Sequence, residues 1–65
     1  MEDRYIANDF VNWANRIENL NPDDCHADFY AARIAIAASI RRMAAEPQNV
    51  EHVRAINGLR LFIYV

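Results

Sequence analysis

Few side chains in this 65-residue sequence are spaced for metal binding. The candidate ligands are Cys25, His26, Asp28, Glu51 and His52. No pair of cysteine or histidine residues has the i, i+4 spacing of a helical zinc site, and adjacent residues on a helix point about 100° apart. The sequence therefore predicts no metal and no cofactor.

Cys25 and a pair of aspartates each have a catalytic and a structural interpretation. Cys25 falls in the first turn of a predicted helix, which can activate a thiol, but the same position favours an inward, packed side chain. Asp24 and Asp28 have the i, i+4 spacing of paired acid catalysts. Helix capping explains Asp24, and a chain of short helices has no deep cleft. We expect a protein that is not an enzyme.

Four asparagines form the most unusual polar pattern. Asn8, Asn12, Asn15 and Asn19 fall in one stripe of a helix, although each asparagine costs roughly 0.5–0.7 kcal/mol relative to alanine. One interpretation is a solvated face. The other is a contact surface, since an amide donates and accepts hydrogen bonds and carries no charge to desolvate. We hypothesise that the stripe, with Arg4, binds a protein partner.

Arg33, Arg41 and Arg42 are the only concentration of basic residues. Arg41 and Arg42 end the second predicted helix, where cations complement the dipole by about 0.3–1 kcal/mol each. The alternative is a hot spot for an acidic partner, so both join the predicted partner-binding residues. The three arginines also allow a dimeric DNA-binding regulator, but a net charge of −2 disfavours nucleic acid.

Length and cysteine content predict one small domain, residues 1–65, that is only marginally stable alone. A chain of this size buries about 60% of its unfolded surface. Cys25 is the only cysteine, so no internal disulfide compensates, and a reducing, cytoplasmic location is expected. There is no apolar run of about 20 residues and no signal-peptide pattern, so no membrane association is expected.

The first predicted helix covers residues 3–19. Its apolar residues follow a 4, 3, 4, 3 spacing, which is the seam of an amphipathic helix opposite the asparagine stripe. They are Ile6, Phe10, Trp13, Ile17 and Leu20.

The segment LNPDDC, residues 20–25, predicts a tight connection to a second helix. Asn21 can cap that helix, Pro22 suits its first position, and the two aspartates complement its dipole. Leu20 and Cys25 would pack as a hydrophobic staple. The result is a helical hairpin.

The second predicted helix covers residues 22–45 and is apolar on two faces. The bulkier face, expected to pack on the first helix, consists of Cys25, Phe29, Ala32, Ile36, Ile40 and Met43. The opposite face consists of Ala27, Ala31, Ile34, Ala35 and Ala38. Alanine tolerates water, but residues 34–40 contain no charge. We therefore expect this face to be covered, either by the third segment or by a second chain.

Pro47 ends the second helix and opens a third over residues 47–57. Val50, Val53 and Ile56 form its apolar row, and Gly58 is expected to be a left-handed C-terminal cap. Residues 59–65 alternate like a strand, but a lone strand has no partner, so helix is favoured. This apolar tail is expected to be buried, in the core or across an interface.

Together these patterns predict an all-α fold: a helical hairpin with a short third helix, completed as a homodimeric helical bundle. The predicted dimer interface consists of Ala27, Ala31, Ile34, Ala35, Ala38, Leu61, Phe62 and Tyr64. The function expected is that of a protein-interaction module, namely a small regulator, adaptor or inhibitor of a larger protein. A small non-catalytic subunit of an enzyme complex is a further alternative to the DNA-binding regulator.

Overall fold

Three α-helices make up the fold in the computed structural model, which describes residues 5–63 and has no β-strand within them. The helices are α1 (Ala7–Glu18), α2 (Ala27–Met43) and α3 (Val50–Leu59), and 3₁₀ turns occupy Pro22–Asp24 and Arg60–Phe62. α1 and α2 pack against each other as a hairpin. The predicted all-α class with three helices is confirmed.

One small core joins all three helices and the tail. Its buried members are Phe10, Ala14, Ile17, Cys25, Phe29, Ala37, Ile40, Ile56 and Ile63. Trp13 and Leu20 are partly buried against it. The predicted seam of α1 is therefore confirmed except at Ile6, which is 58% exposed. Ile6 has an extended backbone before the helix begins, so the helical period does not place it inward.

The ends of α1 are set by local hydrogen bonds. The Asp9 carboxylate accepts from the Ile6 backbone N–H at 2.7 Å, which fixes the start of the helix at Ala7. The predicted start at residue 3 lies outside the described residues, and Tyr5 and Ile6 are not helical. At the other end, the Asn15 carbonyl accepts from the Asn19 side-chain amide at 2.8 Å and from the Asn19 backbone N–H at 3.2 Å.

The second helix begins at Ala27, so the prediction of a continuous helix from residue 22 is wrong. The Pro22–Asp24 turn is followed by Cys25 and His26 in extended conformations. Asn21 does not cap through its side chain; its backbone N–H donates to the Asp24 carboxylate at 3.2 Å. The break has a tertiary cause, because Cys25 forms an isolated antiparallel bridge with Ile63. Cys25 is buried as predicted, but not as a helical residue.

The face of α2 that packs on the core is rotated from the predicted one. Ala37 is completely buried, whereas Ala32, predicted to face α1, is exposed. Ile36 and Met43 are only partly buried. The prediction placed the bulkier side chains at the contact with α1. A small residue such as Ala37 packs there as well, because it lets two helix axes approach closely.

Pro47 lies between α2 and α3, as predicted. However, α2 already ends at Met43, and a turn leads to Asn49 before α3 begins at Val50. The Asn49 side chain caps α3 by accepting from the Glu51 N–H at 2.9 Å. Within α3, Ile56 is completely buried, Val53 is partly buried and Val50 is exposed.

The predicted left-handed cap at Gly58 is wrong. Gly58 lies inside α3 and has no positive φ. The helical alternative for the tail is confirmed as far as Phe62, since α3 runs directly into the Arg60–Phe62 turn. Ile63 then becomes extended and buried, and the His26 N–H donates to the Phe62 carbonyl at 3.4 Å. Residues 64 and 65 lie outside the described residues.

Replacing Gly58 with alanine should stabilise the protein by about 0.5–1 kcal/mol. A Cβ at this position meets no atom within 4 Å, and alanine restricts the unfolded chain. Urea denaturation would measure the change, with Ala55→Gly at an exposed position of α3 expected to cost a similar amount. Destabilisation by Gly58→Ala would instead indicate the left-handed cap.

Candidate functional site

The predicted interface residues of α2 form an uncharged surface on the outward face of the helix. Ala27, Ala31 and Ala35 are exposed, Ala38 is partly buried, and Ile34 is 53% exposed. No segment within residues 5–63 covers this face, so the option of cover by α3 is wrong. The face remains without a partner in the single chain.

The tail adds a second apolar surface beside the start of α2. Leu61 is 80% exposed and Phe62 is 46% exposed. The Phe62 ring stacks on Phe29, with centroids 5.6 Å apart and planes 9° apart, and meets His26 edge-on at 6.3 Å. Burial of the tail is thus confirmed only for Ile63. Tyr64, also predicted at the dimer interface, lies outside the described residues.

The asparagine stripe is exposed along its length, and its C-terminal half is engaged within the chain. Arg41 of α2 donates to the Asn15 side-chain oxygen at 2.8 Å and to the Glu18 carboxylate at 2.7 Å. Asn8 and Asn12 make no side-chain hydrogen bond within residues 5–63. Arg4 lies outside that range. The part of the stripe left available for a partner is therefore Asn8 and Asn12.

The contact with Arg41 also lowers the pKa of the Glu18 carboxyl. The hydrogen bond from Arg41, followed by its positive charge, holds the pKa of the Glu18 carboxyl below its ordinary value. Both side chains are 38% exposed, so solvent screens the pair. Arg41 joins α1 to α2, which makes it a structural residue of the hairpin before any partner is bound.

The other predicted arginines also have partners inside the chain. Arg33 donates to the Tyr30 carbonyl at 2.8 Å, and its guanidinium carbon lies 3.9 Å from the centre of the Tyr30 ring. Arg42 is exposed and donates to the Ser39 hydroxyl at 3.1 Å. Arg33 and Arg42 each donate one hydrogen bond, and Arg42 is the exposed one of these two.

The structure brings together one basic and aromatic cluster that the sequence did not reveal. The guanidinium carbons of Arg16 and Arg60 lie 5.1 Å and 5.8 Å from the centre of the Trp13 ring. The three side chains and Ile63 line a recess of about 210 Å³. Arg16 follows Trp13 by three residues on α1, a helical neighbour spacing that could have been noticed. Arg60 arrives only because the tail folds back.

The metal-binding and catalytic candidates do not form a metal site in the part of the chain that the structure describes. Cys25 is buried in its bridge to Ile63, and the His52 ring contacts the Glu46 carbonyl at 2.9 Å. Among residues 5–63, no three His, Cys, Asp or Glu side chains gather as a metal site. Asp24 accepts from the Asn21 N–H, and Asp28 lies exposed in the first turn of α2.

No protein-family model, curated protein or solved structure gives a significant match to this chain. Within the described residues, no helix combines the length and apolar character needed to cross a bilayer. The surfaces themselves are therefore the basis for a functional proposal.

Replacing Glu18 with glutamine should lower stability slightly at pH 7, as expected for an exposed pair. Because the folded-state pKa is lowered, the ion pair stabilises above the unfolded-state value of about 4.3 and is lost as the pH falls through the folded-state pKa. Wild type and Glu18→Gln should thus converge in acid. Urea titrations at pH 7 and pH 3 would test this, with Glu46→Gln as the exposed control; a pH-independent difference would contradict it.

Proposed function

We propose that this chain is a non-enzymatic protein-interaction module that works as a homodimer, with the outward face of α2 packed on the same face of a second copy. The observation that carries the proposal is the exposure of this uncharged face, with Ile34 at its edge. Soluble monomers seldom leave continuous apolar patches in water unless they bind something. As a dimer, the module would act as a small regulator, adaptor or inhibitor of a larger protein.

Charge placement on α2 supports a second copy as the occupant. Asp28, Ala35 and Arg42 follow one another at seven-residue intervals and therefore lie almost on one line of the helix. The two charges are about 21 Å apart, with Ala35 midway. Antiparallel packing about Ala35 would place Asp28 of each copy opposite Arg42 of the other.

Small side chains between these charges suit the same arrangement. Ala31, Ala32, Ala38 and Ser39 flank Ala35 along the line, and side chains of this size let two helices approach closely. A two-fold axis at Ala35 makes the surface complementary to itself, as a symmetric dimer requires. The uncommitted amides of Asn8 and Asn12, on α1, would remain available to a larger partner.

Among residues 5–63, no observation favours the DNA-binding alternative, because Arg33 and Arg41 are held by groups of their own chain. Assembly with a catalytic chain stays a prediction. Co-purification from the native host would test it.

Ala35→Arg should convert the dimer to a monomer without unfolding it. The substitution places two guanidinium groups on the two-fold axis, while the position is exposed in a single chain. Sedimentation equilibrium and the concentration dependence of melting would measure the change. Ala55→Arg, at an exposed position on α3, is the matched control. A wild-type chain that is monomeric and well folded at high micromolar concentration would refute the dimer.

Exchanging the charges tests the antiparallel geometry. Asp28→Arg and Arg42→Asp should each weaken dimerisation by about tenfold, since each creates two like-charge contacts. The double variant should restore it. Both changes oppose the helix dipole, so a merely structural effect would add in the double variant and leave the dimer weaker still.

A further inference from the structure

The groove beside Trp13 holds two arginines that have no ion-pair partner within residues 5–63. The Arg16 and Arg60 guanidinium carbons lie 5.1 Å and 5.8 Å from the indole centre, and both side chains are exposed. Neither makes an ion pair or a hydrogen bond within residues 5–63. Contact with the ring holds the guanidinium groups in place while most of their donors stay free. Such a pair is suited to an anionic ligand.

The shape of the groove indicates the size of that ligand. The recess beside Trp13, about 210 Å³, is smaller than the roughly 300–1,000 Å³ of ordinary small-molecule sites. It shares Arg16 and Ile63 with a second recess of about 370 Å³ that Leu20 and Asp24 also line. Since the two recesses share these residues, they lie side by side, and together they are the groove that could take side chains of an extended segment.

We propose that this groove binds a short acidic segment of a partner protein, with an apolar or aromatic side chain beside Trp13 and carboxylates on Arg16 and Arg60. Guanidinium groups bind carboxylates through paired, charge-assisted hydrogen bonds. Tryptophan and arginine also dominate the binding energy of protein interfaces. The inference rests on the proposed interaction function and names the chemistry of the partner.

A protein segment fits the groove better than a nucleic acid strand. Backbone binding to nucleic acid needs a run of cations and a basic surface, whereas this groove has two arginines in a chain of net charge −2. The Asn12 amide at its border suits peptide groups.

The groove shares no residue with the outward face of α2. Every residue that lines the recesses beside Trp13 belongs to α1, to the connection before α2, or to the tail. A dimer formed through α2 would therefore present two such grooves. Binding at the groove and dimerisation can be measured separately.

Trp13 is the only tryptophan in the chain, so its fluorescence reports directly on the groove. The full-length protein would be titrated with the peptide acetyl-Glu-Asp-Phe-Glu-Asp-amide at low salt. The matched uncharged peptide is acetyl-Gln-Asn-Phe-Gln-Asn-amide. We expect a saturable change in Trp13 emission with the acidic peptide alone, weakened by added salt.

Arg16→Gln and Arg60→Gln should each weaken binding of the acidic peptide by about threefold, and the double variant should weaken it by about tenfold. Arg54→Gln is the matched control, because it removes the same charge from an exposed position outside the groove. Circular dichroism would confirm that all four variants keep their helices. Equal weakening by Arg54→Gln, or no saturable binding of the acidic peptide, would overturn the proposal.

Two further titrations distinguish this proposal from nucleic-acid binding and from the dimer proposal. A twelve-residue oligo-dT that binds more tightly than the peptide, with a steep salt dependence, would overturn it in favour of nucleic acid. The Ala35→Arg chain should bind the acidic peptide like wild type, since the groove lies within one copy. A failed dimer proposal would leave that titration unchanged, and a failed groove proposal would leave the dimer intact.

Discussion

The close packing of α1 on α2 is the contact on which the rest of the fold depends. Ala14 and Ala37 are completely buried within this hairpin, where larger side chains would hold the two helices apart. Close approach encloses Phe10, Ile17 and Ile40 in a core that so short a chain could not otherwise form. Arg41 of α2 also donates hydrogen bonds to Asn15 and Glu18 of α1, which links the same two helices at the surface. α3 and the tail complete a core that the hairpin already defines.

The return of the tail decides the shape of one side of the molecule. The bridge between Cys25 and Ile63 separates the Pro22–Asp24 turn from α2, and it also places Arg60 beside Trp13. One contact between distant parts of the chain therefore shapes both the start of α2 and the groove. The same return leaves Leu61 80% exposed and Phe62 46% exposed, while Ile63 is buried in the core.

Different physical properties support the two proposed binding surfaces. The outward face of α2 has small, uncharged residues around Ala35 and opposite charges at Asp28 and Arg42, so an antiparallel second copy is its natural complement. The groove beside Trp13 is concave and basic, which suits a chemically different partner with carboxylates. A module with one surface for its own copy and another for a foreign segment can present two equivalent sites to a larger protein, and avidity then strengthens weak individual contacts.

Local interactions were readable from the sequence by itself. The 4, 3, 4, 3 spacing of apolar residues predicted α1, and Pro22 and Pro47 predicted the two breaks between helices. The uncharged stretch at residues 34–40 predicted a covered face on α2, but no segment within residues 5–63 covers Ile34 or Ala35. These signals depend on residues within one or two turns of each other. The helical continuation past Gly58 was also anticipated as an alternative to a strand, although the left-handed cap was not found.

Only the tertiary structure decided which face of α2 packs inward, where α2 begins and which residues surround Trp13. The rotation that buries Ala37 and exposes Ala32 follows from how closely two helices can approach, which no single-helix pattern contains. The extended backbone at Cys25 and the position of Arg60 both need Ile63, 38 positions along the chain from Cys25, to come back and pair. Periodicity and capping describe neighbours in sequence, whereas these features depend on residues that become neighbours only when the chain folds.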